Sequence, residues 1–168
     1  MSNGVSSDKI FHSTTHGNLS LTEVISEIHR YTQHHKNSRY EISIGTDSQA
    51  YGKTHANFVT AIVVRRIGNG AIYFWTRRSQ RFYNLQHRIQ LETMLSITLA
   101  QECRSTIREK LGDEILWDGV IEIHLDIGGA GQTRDFLDVM TGMVRAYQMV
   151  PVIKPDSYGA FAVADKHT

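Results

Sequence analysis

The segment Tyr40-Glu41-Ile42-Ser43-Ile44-Gly45-Thr46-Asp47 decides the fold. Residues 40–46 read as a strand. Alternation with period two puts Ile42, Ile44 and Thr46 on one face, and Ser43, Gly45 and Asp47 on the other. Asp47 then closes the strand at its carboxyl end, the edge where open α/β sheets bind ligands. An aspartate there can also do no more than begin a turn. The rest of the chain has to decide between these two roles.

Downstream, residues 58–66 form a second β-branched run. Gly68-Asn69-Gly70 is a tight-turn signal and predicts a hairpin into a third strand over 71–79. From Leu85 to Leu111 the apolar period becomes helical, through Ile89, Leu95, Leu99, Cys103 and Ile107, with Gly112 placed to end the helix. Asp118-Gly119 turns into a fourth strand over 120–126. Gly128-Gly129-Ala130-Gly131 leads to a helix over about 133–147, then a short fifth strand over 149–153 and a last helix from Tyr158. Upstream, Ser20-Leu21-Thr22-Glu23 is a capping box for an extra N-terminal helix carrying Leu21, Val24, Ile25 and Ile28. The order α, βββ, α, β, α, β, α predicts an α/β domain. Its expected core is a five-stranded mixed sheet in the order 3-2-1-4-5, with helices on both faces. Residues 1–18 are expected to be loosely ordered, and 19–168 to form a single domain.

Composition sets bounds on this reading. The chain has 168 residues, the size of one domain that buries roughly 70% of its unfolded surface. Cys103 is the only cysteine and reads as a buried, inert core residue, so no intrachain disulfide is possible. The polar start lacks an apolar signal core, and the run 58–64 is too short to span a bilayer. The expectation is a cytoplasmic protein with no membrane partner. Lys and Arg total 18 against 17 Asp and Glu, for a net charge of +1, so any nucleic-acid argument rests on where charges cluster.

Two more acids join Asp47. Asp126 closes the fourth strand, sharing a face with Glu122 and His124. If the first and fourth strands are parallel neighbours, both aspartates emerge at one edge. Glu92 sits between Ile89 and Leu95 on the helical stripe that should face the sheet, a costly place for a carboxylate unless it is paired or metal-bound. A Glu at the edge of such a stripe can also simply reach water or one Arg. Gathered carboxylates repel one another and raise each other's pKa unless a cation neutralises them. Hard oxygen ligands suit Mg²⁺ or Mn²⁺.

At this point the chain resembles the ribonuclease H-like superfamily and, more narrowly, the bacterial YkuK-type family of unknown function. The segments that carry the resemblance are Ile44-Gly45-Thr46-Asp47-Ser48-Gln49, the helix with Leu91-Glu92, Ile123-His124-Leu125-Asp126-Ile127-Gly128, and the tail from Lys154-Pro155-Asp156-Ser157 through Ala164-Asp165-Lys166. The resemblance implies four metal-ligating and catalytic acids: Asp47, Glu92, Asp126 and, from a late helix, Asp165, with Asp156 as a rival that also reads as a helix N-cap. It also implies two-metal hydrolysis of a phosphodiester in RNA or DNA, with Mg²⁺ or Mn²⁺ as cofactor. No hybrid-binding extension is present, so the substrate choice of ribonuclease H is not carried over.

Arg77, Arg78, Arg81 and Arg88 cluster with Phe82 and Tyr83 and, with Gln49, are the nucleic-acid-binding candidates. The alternative is a solvated strand end over core aromatics. Ser48, His124 and Asp156 are auxiliary candidates; for His124 a hydrogen-bonded core position is weighed against a proton shuttle. The glycine loop at 128–131 lacks a P-loop's Gly-Lys-Ser/Thr ending. Three functions are consistent with these features: a metal-dependent nuclease or phosphodiesterase, a nucleic-acid-binding module without efficient catalysis, or a phosphate binder using the glycine loop.

Overall fold

The computed structural model describes residues 9–112 and 121–168. Two three-residue strands, β1 (Phe11–Ser13) and β2 (Gly17–Leu19), make an antiparallel hairpin. Helix α1 (Leu21–Gln33) follows, with the capping box of Ser20 and Glu23 formed as its sequence requires. Then come β3 (Tyr40–Tyr51), β4 (His55–Arg66), β5 (Ala71–Arg81) and the long helix α2 (Leu85–Leu111). After β6 (Ile121–His124), a 3-10 turn at Arg134–Phe136 precedes α3 (Leu137–Ala146), β7 (Val150–Val152) and α4 (Tyr158–His167).

Among the described residues, the strands join one seven-stranded sheet in the order β2-β1-β5-β4-β3-β6-β7. The five expected strands are β5-β4-β3-β6-β7, in the expected order, with β3 and β6 adjacent and parallel. Two features correct the expectation. Among the described residues the sheet has seven strands, because residues 11–18, within the 1–18 segment expected to be loose, form with Leu19 an edge hairpin joined through the pairing of His12 with Trp75. Residues 1–8 lie outside the described residues, as does the Asp118-Gly119 turn. The second feature is strand length. β3 does not end at Asp47 but pairs with β4 as far as Tyr51, opposite His55. β6 is shorter than expected, ending at His124, so Asp126 lies two residues beyond it. The β4–β5 turn uses Gly68 and Gly70 at φ 86° and 87°, a region disfavoured for other residues.

The helices cover the two sheet faces. Thr46 hydrogen-bonds Ser96 of α2 at 2.7 Å, which fixes the face of Ile42, Ile44 and Thr46 under α2. Ile44, Ile62, Ile97, Leu99 and Ile123 are nearly fully buried there, each contributing about 1.5–3 kcal/mol. On the other face α4 lies close against β3: a Cβ on Gly45 would come within 3.2 Å of Ala160 Cβ. Val59, Ala61 and Ala164 form the core under α4. Cys103 is buried in the main core, and burial pushes its thiol up to about 12, so it is inert at neutral pH. Among the described residues no helix is long and apolar enough to cross a membrane.

Candidate active site

The parallel pairing of β3 and β6 brings their carboxyl ends to one edge of the sheet. Asp47 stands half-buried on the α4 face of β3. Its carboxyl is held above the usual range, first by burial and then by the charges of Asp165 and Asp126; the Ser48 amide and the Thr168 hydroxyl oppose the shift. Thr168 Oγ1 donates to Asp47 Oδ2 at 3.3 Å. Asp165 is exposed near the end of α4, in electrostatic range of Asp47. Asp156, the rival fourth acid, is exposed on the approach to α4 and lines a cavity with Glu122 and His124. The N-cap position of α4 belongs to Ser157, which makes no side-chain capping bond.

Glu92 reaches the same edge from the α2 face. Its side chain is 15% exposed. Burial pushes its carboxyl up to about 7; the Ser48 bond and Arg88 oppose this, and Asp47 and Asp126 add to it. Ser48 Oγ donates to Glu92 Oε1 at 2.5 Å and accepts from Arg88 Nε at 2.7 Å. Arg88 also donates to the Ser48 carbonyl at 2.9 Å. Arg88 thus braces Glu92 through Ser48. Glu92 and Asp126 line one cavity of about 10 Å³, with Thr46 and Ile89, enough for a single water.

Asp126 is neutralised by a cation of the chain itself. Its Oδ1 is sheltered from solvent and accepts no well-formed hydrogen bond, while the Lys154 ammonium pairs with it as an ion. Lys154 also lies 5.8 Å from the centre of the Phe161 ring. Sequence reading passed over Lys154, although a signal was there. His124 pairs with Val152, so Asp126 and Lys154, each two residues further on, leave adjacent parallel strands together. Among the described residues, no three His, Cys, Asp or Glu side chains stand close enough to ligate one ion as placed.

His124 is buried and fully engaged. Nδ1 accepts from the Ala160 amide at 3.3 Å, and Nε2 faces Glu122 Oε2 at 3.1 Å. It ties β6 to α4. The glycine loop leads into the 3-10 turn rather than directly into α3. The Arg134 and Phe136 amides bond back to Gly131 and Thr133, which withdraws them from any ligand.

The arginine candidates separate. Arg77 shares the α4 face with Asp47 through Val59, and its guanidinium grips the His167 carbonyl at the end of α4. Arg78 lies on the α2 face opposite Phe58, where both line a cavity of about 520 Å³. Arg88 is committed to Ser48 and Glu92. Arg81 and Gln49 are exposed on the α4 face beyond Asp47.

A mixed sheet with the middle strand of its hairpin antiparallel, Asp47 on β3 and Asp126 just past β6, and a long helix supplying Glu92 define a class, and the comparisons agree with it. Residues 23–168 match the family described as Ribonuclease H-like, and the chain belongs to that family. "Uncharacterized protein YkuK" of Bacillus subtilis (strain 168) is 31% identical over 167 residues, covering 95% of this chain and 96% of the relative. No solved structure gives a significant match. Membership points, at the level of class, to a function related to nucleic acid.

Proposed function

We propose that the chain is a divalent-metal-dependent nuclease or related phosphodiesterase acting on nucleic acid. The observation that carries this is the mutual electrostatic influence of the acids: Asp165 and Asp126 raise the carboxyl of Asp47, and Asp47 and Asp126 raise that of Glu92, each beyond the effect of burial. Such a site is short of positive charge. The donor set is all carboxylate oxygen and fits Mg²⁺ or Mn²⁺. The sheltered Oδ1 of Asp126 is paired with the Lys154 ammonium, so this carboxylate already takes a cation.

Asp47, Glu92, Asp126 and Asp165 would hold the metal. A metal held there would supply activation of a water and stabilisation of the leaving 3′ oxygen of a phosphodiester. The protein's own contribution is positioning. Arg88 and Ser48 fix the Glu92 carboxyl from below. Lys154 neutralises Asp126 at the carboxyl end of β6. His124 fastens α4, and with it Asp165, over β6.

A second reading is a nucleic-acid-binding module without turnover, favoured by the ammonium already paired with Asp126. Cleavage assays separate the two. The substrates are single-stranded, duplex, hybrid and branched RNA and DNA, with Mg²⁺ or Mn²⁺. Asp47→Asn keeps the shape and removes the charge, so cleavage should fall to background in a folded protein. Nucleic acid retained without cleavage by the wild type would establish the binding module. Cleavage by Asp47→Asn equal to wild type would place the activity elsewhere.

A further inference from the structure

Beyond Asp47, the three longest strands run on past the end of α4. The register puts Gln49, Asn57 and Ser79 in one row and Tyr51, His55 and Arg81 in the next, on the same face as Asp47. Ser79 Oγ donates to Asn57 Oδ1 at 2.6 Å, and the Tyr51 and His55 rings stack at 6.0 Å, so these side chains do share that face. With a rise of about 3.4 Å per residue, the face extends roughly 14 Å from Asp47 to Tyr51. The structure leaves it uncovered: Gln49, Tyr51, His55, Ser79 and Arg81 are all exposed. The opposite face of the same strands is closed by Ala56, Phe58 and Phe82 beneath α2.

At the rim, the aromatic groups are held in the open. Tyr83 is 72% exposed. Its ring stacks on His87 at 4.9 Å and 19°, and the Arg81 guanidinium lies 5.6 Å from its centre. The Tyr83 amide donates to His87 Nδ1 at 3.2 Å, which fixes the pair. Tyr51 is 48% exposed. Among the described residues, the charged side chain in the rows beyond Asp47 is a cation, Arg81, and Lys53 stands exposed in the β3–β4 turn beside it.

We propose that this face carries an unpaired nucleic-acid strand toward Asp47, with bases on Tyr51 and Tyr83 and phosphate on Arg81. Exposed rings offer a π-face to any base, but only when that base is free of its own stack. A duplex buries those faces and would leave both tyrosines unused. Hydrogen-bonding groups lie between the rings and Asp47, at Gln49 and Asn57, and suit sugar and base edges without demanding one sequence. The inference rests on the nuclease reading for the direction of the strand, and it names the substrate class: single strands, or duplexes with an unpaired end.

The test is fluorescence anisotropy with 15-nucleotide single strands and the matching duplex, in Ca²⁺ to suppress turnover. Tyr83→Ala and Tyr51→Ala should each weaken single-strand binding about ten-fold, with duplex binding unchanged. Arg81→Ala should also weaken binding and lower the salt slope by about one. Lys110→Ala, at the far end of α2, controls for net charge. Tighter binding of duplex than of single strand, or no loss in the three variants, overturns the track while leaving nuclease activity to stand. Loss on Arg78→Ala with none on Arg81→Ala moves the strand to the other sheet face and overturns it too. Wild type that binds neither substrate and cleaves nothing removes both readings together.

Discussion

Glu92 is the residue at which the site's electrostatics can be read most directly. Its carboxyl, pushed up to about 7, binds a proton in the folded chain that the unfolded chain, near 4.5, releases. The native state therefore holds more protons than the unfolded state between those two values. Its contribution to stability falls as pH rises through that window and stays lost above it. Glu92→Gln removes the titration while its amide oxygen still accepts from Ser48. The metal-free variant should match wild type in thermal melts at pH 5 and exceed it at pH 8 by about 1–3 kcal/mol. Asp47 is shifted in the same direction. Equal melting of the two proteins at pH 8 would show that Glu92 ionises at no cost, leaving no unmet charge for a metal to satisfy. The carboxylates were legible because an acid on an apolar stripe or at a strand end stands out. The braces were not: Ser48 and Arg88 are ordinary residues in sequence, and their role exists only once β3 and α2 cross.

At the scale of elements, α4 is held by small residues. Gly45, Ala160 and Ala164 let helix and strand approach until a Cβ on Gly45 would lie 3.2 Å from Ala160 Cβ and 3.3 Å from the Phe161 amide nitrogen. Gly45→Val forces α4 outward. The expected cost is about 1–3 kcal/mol in urea melts. Because Asp165 travels with α4, cleavage should fall by more than stability explains. Full activity in a folded Gly45→Val would mean that Asp165 is dispensable. The long elements were readable for a physical reason: β3, β4, β5 and α2 each bury one side, and burial imposes a period. β1 and β2 have three residues each, too few to show one, and they persist by pairing with each other and, through β1, with the edge of β5. β3 seemed to stop at Asp47 because Asp-Ser-Gln is turn chemistry in isolation. The cross-strand ladder to β4 overrides it.

For the whole molecule, the consequence is that folding and cation binding are linked. The acids come together only when β3, α2, β6 and α4 are all in place, so a metal held by them binds the native state alone. Its stabilisation is RT ln(1 + [M]/Kd), about 2.7 kcal/mol at one hundred times Kd. For a chain of this size that corresponds to a rise in Tm of roughly 5–10 °C. Mn²⁺ and Mg²⁺ should produce it, whereas raising K⁺ to the same ionic strength should not. Asp47→Asn should lose most of the shift and start from a higher metal-free Tm, because one repelling charge is gone. Lys154→Gln should start lower, since Asp126 loses its counterion, and should gain more from Mn²⁺ because no ammonium competes. Differential scanning calorimetry of the three proteins across a metal titration reads all of this without substrate. Identical Tm with and without Mn²⁺ in wild type would show that the four acids gather no ion, and the binding module would then replace the nuclease.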